Sequence, residues 1–209
     1  ALGANAATAS VSEGKLPGTA VEIAKVSSQP ISKWINHMLQ VSDNSQAEAL
    51  ARLVSLDLGF DGSFSSLNAA IKKALGATNL DSTGVVIRDG SGLSDFNAVS
   101  PTYVAKLMEL VLDGYGNFKV IKDALPVAGE SGSLASRFTG DNLDAVGKVA
   151  AKTGWIKKGY TLAGIINGKD GTDLVFAVYA LGPVKADAKD AIDNLVTGFY
   201  RCGDQLSNE

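Results

Sequence analysis

Val146–Leu181, VGKVAAKTGWIKKGYTLAGIINGKDGTDLVFAVYAL, holds the strongest architectural signal in the chain. Val146–Thr153, Thr161–Ile166 and Leu174–Leu181 are three strand-like runs separated by Gly-containing turns. The turns, near Lys158-Gly159 and Gly168–Gly171, are short enough for antiparallel hairpins. Ala186–Tyr200 follows as a closing helix, with Ala188, Ile192, Leu195, Val196 and Phe199 along one face.

Upstream the apolar period is helical. Pro30 stands where a helix starts, followed at helical spacing by Ile31, Trp34, Ile35, Met38 and Leu39. A second helix is expected from about Asn44 to Leu58, with Ala47, Leu50, Ala51, Val54 and Leu58 on one face. Ser63 reads as the N-cap of a third, through Phe64, Leu67, Ile71 and Leu75, stopped by Gly76. Ser100-Pro101 opens a fourth, which turns Val104, Leu107, Met108 and Val111 inward and ends at Gly114. Thr19–Ser27 alternates well enough for a short strand. Residues 1–18, rich in Ala, Gly, Ser and Thr, read as a flexible tail or linker scar.

Helices segregated from an antiparallel sheet argue for an α+β layer fold. A sheet of three apolar strands has at least one exposed edge, an aggregation hazard unless something pairs with it. The chain has 209 residues, 45% apolar and 20% charged, which suits one globular domain. The net charge of −3 is too small and of the wrong sign for a nucleic-acid partner. No apolar run approaches the roughly 20 residues that span a bilayer. The chain begins at Ala1 with no basic or apolar leader, so any signal peptide is expected to have been removed or never carried. The lone Cys202 cannot form an internal disulfide.

Two short motifs carry chemistry. Lys152-Thr153-Gly154 lies at the end of the first strand-like run, where a Lys ammonium and a Thr hydroxyl can hold a carboxylate and Gly leaves room for close approach. The N–H of Trp155 just beyond it could donate into an oxyanion hole. Such a tripeptide arises by chance in about 2–5% of chains this long. Ser42-Asp43-Asn44 sits at a helix junction, where all three residue types also serve as N-caps. A Ser-x-Asn alone arises by chance in roughly half of such chains.

Order and context add weight. Between the two motifs lies Arg88-Asp89-Gly90-Ser91-Gly92-Leu93-Ser94, then Asn97, Val99, Ser100 and Pro101. Leu125-Pro126-Val127-Ala128-Gly129 follows, then Gly132-Ser133-Leu134 and Arg137, while Ser42-Asp43-Asn44 continues into Ala47-Glu48. Together these segments resemble the C-terminal portion of the class C low-molecular-mass penicillin-binding proteins, over nearly all of Val21–Phe199. Those proteins are D-alanyl-D-alanine carboxypeptidases that also act as endopeptidases. The resemblance implies part of a serine β-lactamase/penicillin-binding transpeptidase-like fold, with residues 19–209 as the C-terminal part of the catalytic domain.

It also implies roles. Ser42 would relay protons, Asn44 would hold the substrate amide, and Lys152 and Thr153 would recognise a carboxylate. Gly154 and the Trp155 N–H would shape the oxyanion side. Peptidoglycan stem peptides and β-lactams are the implied ligands, an extracytoplasmic site at the bacterial wall is the implied location, and no cofactor or metal is implied. Asp95 and Phe96 depart from the family, whose members often carry a basic and a polar residue there. The family's nucleophilic Ser-x-x-Lys lies N-terminal to everything described so far. Ser12-Glu13-Gly14-Lys15 fits the bare pattern, but it lacks the rigid helix N-terminus that acyl transfer needs and is not taken as the nucleophile. The chain alone is therefore expected to be inactive, and its partners to include the absent N-terminal portion of the same protein. The alternative is a non-catalytic module that binds peptidoglycan or a partner, which an upstream Ser-x-x-Lys would exclude. A class A β-lactamase fits less well, because its Glu-x-x-x-Asn segment is not found between the motifs.

Other residues read as structural. His37, the only histidine, has apolar neighbours and no triad partners. Without a Cys/His cluster a structural zinc site is not expected, and the Gly-rich stretches do not spell a phosphate-binding loop. Lys148 reads as a solvated strand lysine. Asp89, Ser91 and Ser94 read as turn-formers in preference to site residues.

Overall fold

Strand pairing extends beyond the apolar runs. The computed structural model describes residues 13–183, 185 and 187–208. Its sheet comprises β1 (Val149–Ile156), β2 (Gly159–Asn167) and β3 (Asp173–Leu181), antiparallel in the order β1-β2-β3. Lys152 pairs with Ala163, Thr153 with Leu162, Gly154 with Thr161 and Trp155 with Tyr160. Lys152-Thr153-Gly154 therefore lies inside a strand, not at its end. Ile156 and Gly159 close the pairing around a two-residue turn, so backbone bonding continues where the apolar run stops. At the other end, Gly147 adopts φ +72°, which delays the strand to Val149.

Alternation along β1 builds two different faces. Val149 and Ala151 join Leu162, Ile166 and Phe176 against Ile192, Val196 and Tyr200 of a C-terminal helix. Ala150 turns the other way, to a cluster formed by Ile165, Met108, Val111 and Leu125. Helices thus cover both faces. Outside the sheet edges, Ala128 donates to Val149 O at 2.9 Å and Ala151 to Pro126 O at 2.8 Å, which screens the first half of β1. Among the described residues β3 has no strand on its far side, as the expected exposed edge requires.

The helices are α1 (Ile31–Val41), α2 (Asn44–Asp57), α3 (Phe64–Leu75), α4 (Pro101–Leu112), α5 (Lys119–Lys122) and α6 (Ala188–Cys202). Their starts follow local chemistry. Asp43 accepts from Gln46 N–H at 2.9 Å to cap α2. Ser100 accepts from Tyr103 N–H at 3.1 Å to cap α4, with Pro101 in the first turn, where its missing N–H costs nothing. Ser63 precedes α3 but does not cap it through its side chain; its hydroxyl donates to Asp61 at 2.7 Å instead.

Thr19–Ser27 is not a strand. It is irregular and exposed, with Val21, Ile23 and Val26 at 83%, 99% and 96% exposure. Alternation supplies a face, but a strand also needs a neighbour for its N–H and C=O groups, and no described residue provides one. The Ser12 considered above lies outside the described residues.

Candidate active site

The site begins with a strained turn. Ser42 ends α1 in the left-handed conformation, φ 57° and ψ 52°, a region that non-glycine residues enter at a cost of about 1 kcal/mol. The turn is held by Asp43 N–H donating to Met38 O at 3.1 Å, and Asp43 then caps α2. Ser42 and Asn44 consequently both line one wall of a cleft of about 1000 Å³.

The opposite wall is β1. Lys152 Nζ donates to Ser42 Oγ at 2.8 Å and to Thr153 O at 2.9 Å, joining the two motifs across 110 positions of sequence. Burial pushes the Lys152 ammonium below the ordinary lysine range, and no described carboxylate lies within ion-pair distance of it. Thr153 is on the opposite face of the strand, its hydroxyl 2.9 Å from Ser133 Oγ. At Gly154 a Cβ would strike the Thr161 hydroxyl on β2, so a larger residue would require that side chain to turn away. Trp155 is 68% exposed and stacks on Tyr160, ring centroids 6.0 Å apart and planes 6° from parallel. Lys189, from the first turn of α6, places its Nζ 5.2 Å from the Tyr160 centroid and 5.7 Å from that of Trp155. All six residues placed at the site by sequence line this one cleft.

Two supports hold the walls in position. Glu48 on α2 accepts from Gly90 N–H, Ser91 N–H and Ser91 Oγ at 3.1, 3.1 and 2.8 Å. Asp89 accepts from Gly92 N–H, Ser94 N–H and the Asn97 amide at 2.8, 2.6 and 2.9 Å. Asp89 and Ser94 shape a turn, as expected, whereas Ser91 both shapes it and lines the cleft, against the expectation of a turn-former alone. On the other side, Arg137 grips Asp193 of α6 through NH2 at 2.6 Å and Nε at 3.2 Å, with both side chains largely buried. The same guanidinium donates to Lys189 O at 3.2 Å, which fixes the start of α6 beside the cleft.

Sequence reasoning assigned no role to Ser133, Glu48, Tyr160 or Lys189. Ser133 and Glu48 lie within quoted segments, but only the tertiary contacts show what they touch. His37 sits at the surface, 3.8 Å from Asp43, and Lys148 is solvated as expected but lies in the turn before β1, not in the strand. Among the described residues no group of acidic, His or Cys side chains could hold a metal ion, and no helix is long and apolar enough to cross a membrane.

The floor of the cleft is apolar. Met38, Leu39, Leu50, Ala51, Val54 and Ile71 line it beneath the polar rim formed by Ser42, Lys152 and Thr153. The arrangement offers hydroxyls, a desolvated ammonium and strand N–H groups to a peptide laid along β1, the elements that hydrogen-bond and polarise an amide.

The chain is similar over most of its length to known proteins. The chain is 30% identical over 200 residues to a carboxypeptidase of Mycobacterium tuberculosis, covering 93% of this chain and 43% of that protein. It is 34% identical over 189 residues to carboxypeptidase DacB of Mycolicibacterium smegmatis, covering 87% and 40%. It thus spans less than half the length of the relatives it matches. Penicillin binding protein 4 of Haemophilus influenzae, solved with a β-lactam, superposes with a TM-score of 0.74 at 25% identity, over 82% of this chain and 42% of that one. The sheet with its covering helices is thus the α+β arrangement of the penicillin-binding fold, as the sequence resemblance implied. Residues 2–200 match the profile of the D-Ala-D-Ala carboxypeptidase 3 (S13) family, and the chain belongs to that family.

Proposed function

We propose that this chain forms the substrate-cleft part of a serine-type D-alanyl-D-alanine carboxypeptidase/endopeptidase acting on peptidoglycan stem peptides through an acyl-serine intermediate. The observation that supports the reading is the Lys152 Nζ–Ser42 Oγ bond of 2.8 Å between the two motifs. Ser42, polarised by that ammonium, passes the proton between the nucleophile and the leaving amine. Asn44 holds the amide of the substrate. The Thr153 hydroxyl receives the carboxylate of the peptide, and Gly154 lets the substrate backbone approach so that the Trp155 N–H faces the developing oxyanion. β-Lactams enter as mimics of the same amide, and the site works outside the bacterial cytoplasm, at the wall.

The nucleophile comes from outside this chain. The apolar lining supports that assignment, because the half-buried Leu50 and Val54 line the cleft where an amphipathic helix carrying Ser-x-x-Lys would pack. Incubation of the 209-residue chain with a fluorescent penicillin tests the assignment. No covalent label is expected on the chain alone, and labelling of an added polypeptide that carries the nucleophile is expected. Stable labelling of the isolated chain would refute it.

A further inference from the structure

One cation at the cleft has no assigned work. The Thr153 hydroxyl lies 2.9 Å from Ser133 Oγ, and neither group carries charge. Lys152, on the opposite face of the strand, is committed to Ser42 and to the Thr153 carbonyl. Arg137 is committed to Asp193 and to the Lys189 carbonyl. The ammonium of Lys189 lies over the stacked Trp155 and Tyr160 rings, with no described carboxylate in ion-pair range. Lys189, Trp155, Tyr160, Thr153 and Ser133 all line the same cleft.

We infer that Lys189 is a specificity-determining residue that reads the free C-terminal carboxylate of the substrate. This rests on the D-alanyl-D-alanine reading above and adds to it the element that separates a terminal peptide bond from an internal one. The two rings hold the lysine ammonium at the cleft, which lowers the entropy lost when it engages an anion. The Arg137 bond to the Lys189 carbonyl anchors the backbone from which the side chain extends. A substrate with a free carboxylate gains a charge-assisted hydrogen bond there, and a cross-bridge, whose corresponding carbonyl is an amide, does not.

The test is binding, which needs no nucleophile. The full 209-residue chain, 15N-labelled, is titrated with N-acetyl-D-Ala-D-Ala and with its C-terminal amide, and the Trp155 indole N–H is followed by NMR. Wild type is expected to prefer the acid about tenfold, the scale of one charge-assisted bond. Lys189→Gln is expected to lose that preference while binding the amide as wild type does, and Lys189→Arg to retain it. An undiminished preference for the acid in Lys189→Gln would overturn the inference and leave the substrate reading standing. A dispersed, folded wild-type spectrum that responds to neither ligand would overturn both.

Discussion

The layer formed by the sheet and α6 and the layer formed by α1–α3 meet at the cleft, but they are completed to different degrees. In the first, Leu134, Phe138, Val149, Leu162, Ile166 and Val196 are no more than 1% exposed. In the second, α3 buries Leu67 and Ala70, but α1 has no buried residue, α2 buries only Ser55, and Ile31, Leu53 and Leu56 are about half exposed. Both layers have apolar residues at correct spacing, so propensity does not explain the contrast. The sheet layer finds its partners within the chain, while the helical layer lines an open apolar floor. α1 and α2 therefore leave apolar area uncovered by the described residues. Under the proposed function, a nucleophile seated against this layer would face Ser42 and Lys152.

Four perturbations test this contrast. The largest effect is expected from Leu50→Asp, which puts a charge on the apolar floor. Penicillin labelling of the complementing nucleophile-bearing polypeptide should disappear, while the β-sheet signature in circular dichroism should not change. Next is Asp193→Ala. It leaves Arg137 and the Phe138 N–H without their carboxylate inside the finished layer, and should cost about 3–5 kcal/mol in urea unfolding.

The third concerns Lys152, whose pKa is lowered by burial. A lowered folded-state pKa in a base means that folding disfavours the charged form. The penalty is fully present below the folded pKa and vanishes as pH rises to the unfolded value of about 10.4. Lys152→Met should therefore unfold at a higher urea midpoint than wild type at pH 7, by less than the Asp193→Ala effect. The gap should narrow steadily on the alkaline side. The smallest effect belongs to Asp95→Ala. The Asp95–Lys158 pair, 2.8 Å long and exposed on both sides, joins the loop before α4 to the β1–β2 turn over solvent and should be worth less than about 1 kcal/mol, declining with added salt.

Much of this was legible in the sequence wherever a local rule sufficed. The four longer helices before the sheet declared themselves by apolar spacing, and Asp43 and Ser100 act as caps because a short polar side chain before a helix can reach its free N–H groups. Asp95 stood out as a departure, yet its partner Lys158 could not be named without coordinates. Strand length was misread because pairing, not composition, carries β1 through Trp155 and Ile156. Thr19–Ser27 failed as a strand for the converse reason, since its alternation has no neighbour among the described residues. Within the site, residue types were legible and directions were not. Nothing local says that Lys152 turns to Ser42 while Thr153 turns to Ser133, because that depends on the parity of one residue along β1.

The bond from Lys152 to Ser42 has a consequence for the life of the protein before it works. Its two ends are 110 residues apart, one on a loop between helices and the other inside a strand whose register is set by β2. Neither end holds the other until hairpin, helices and turn have all reached their final places. The cleft is in effect a checkpoint: a chain still emerging, misregistered or partly melted offers no assembled pocket to any ligand. Occupancy of this cleft, by whatever molecule, then counts correctly folded copies and nothing else.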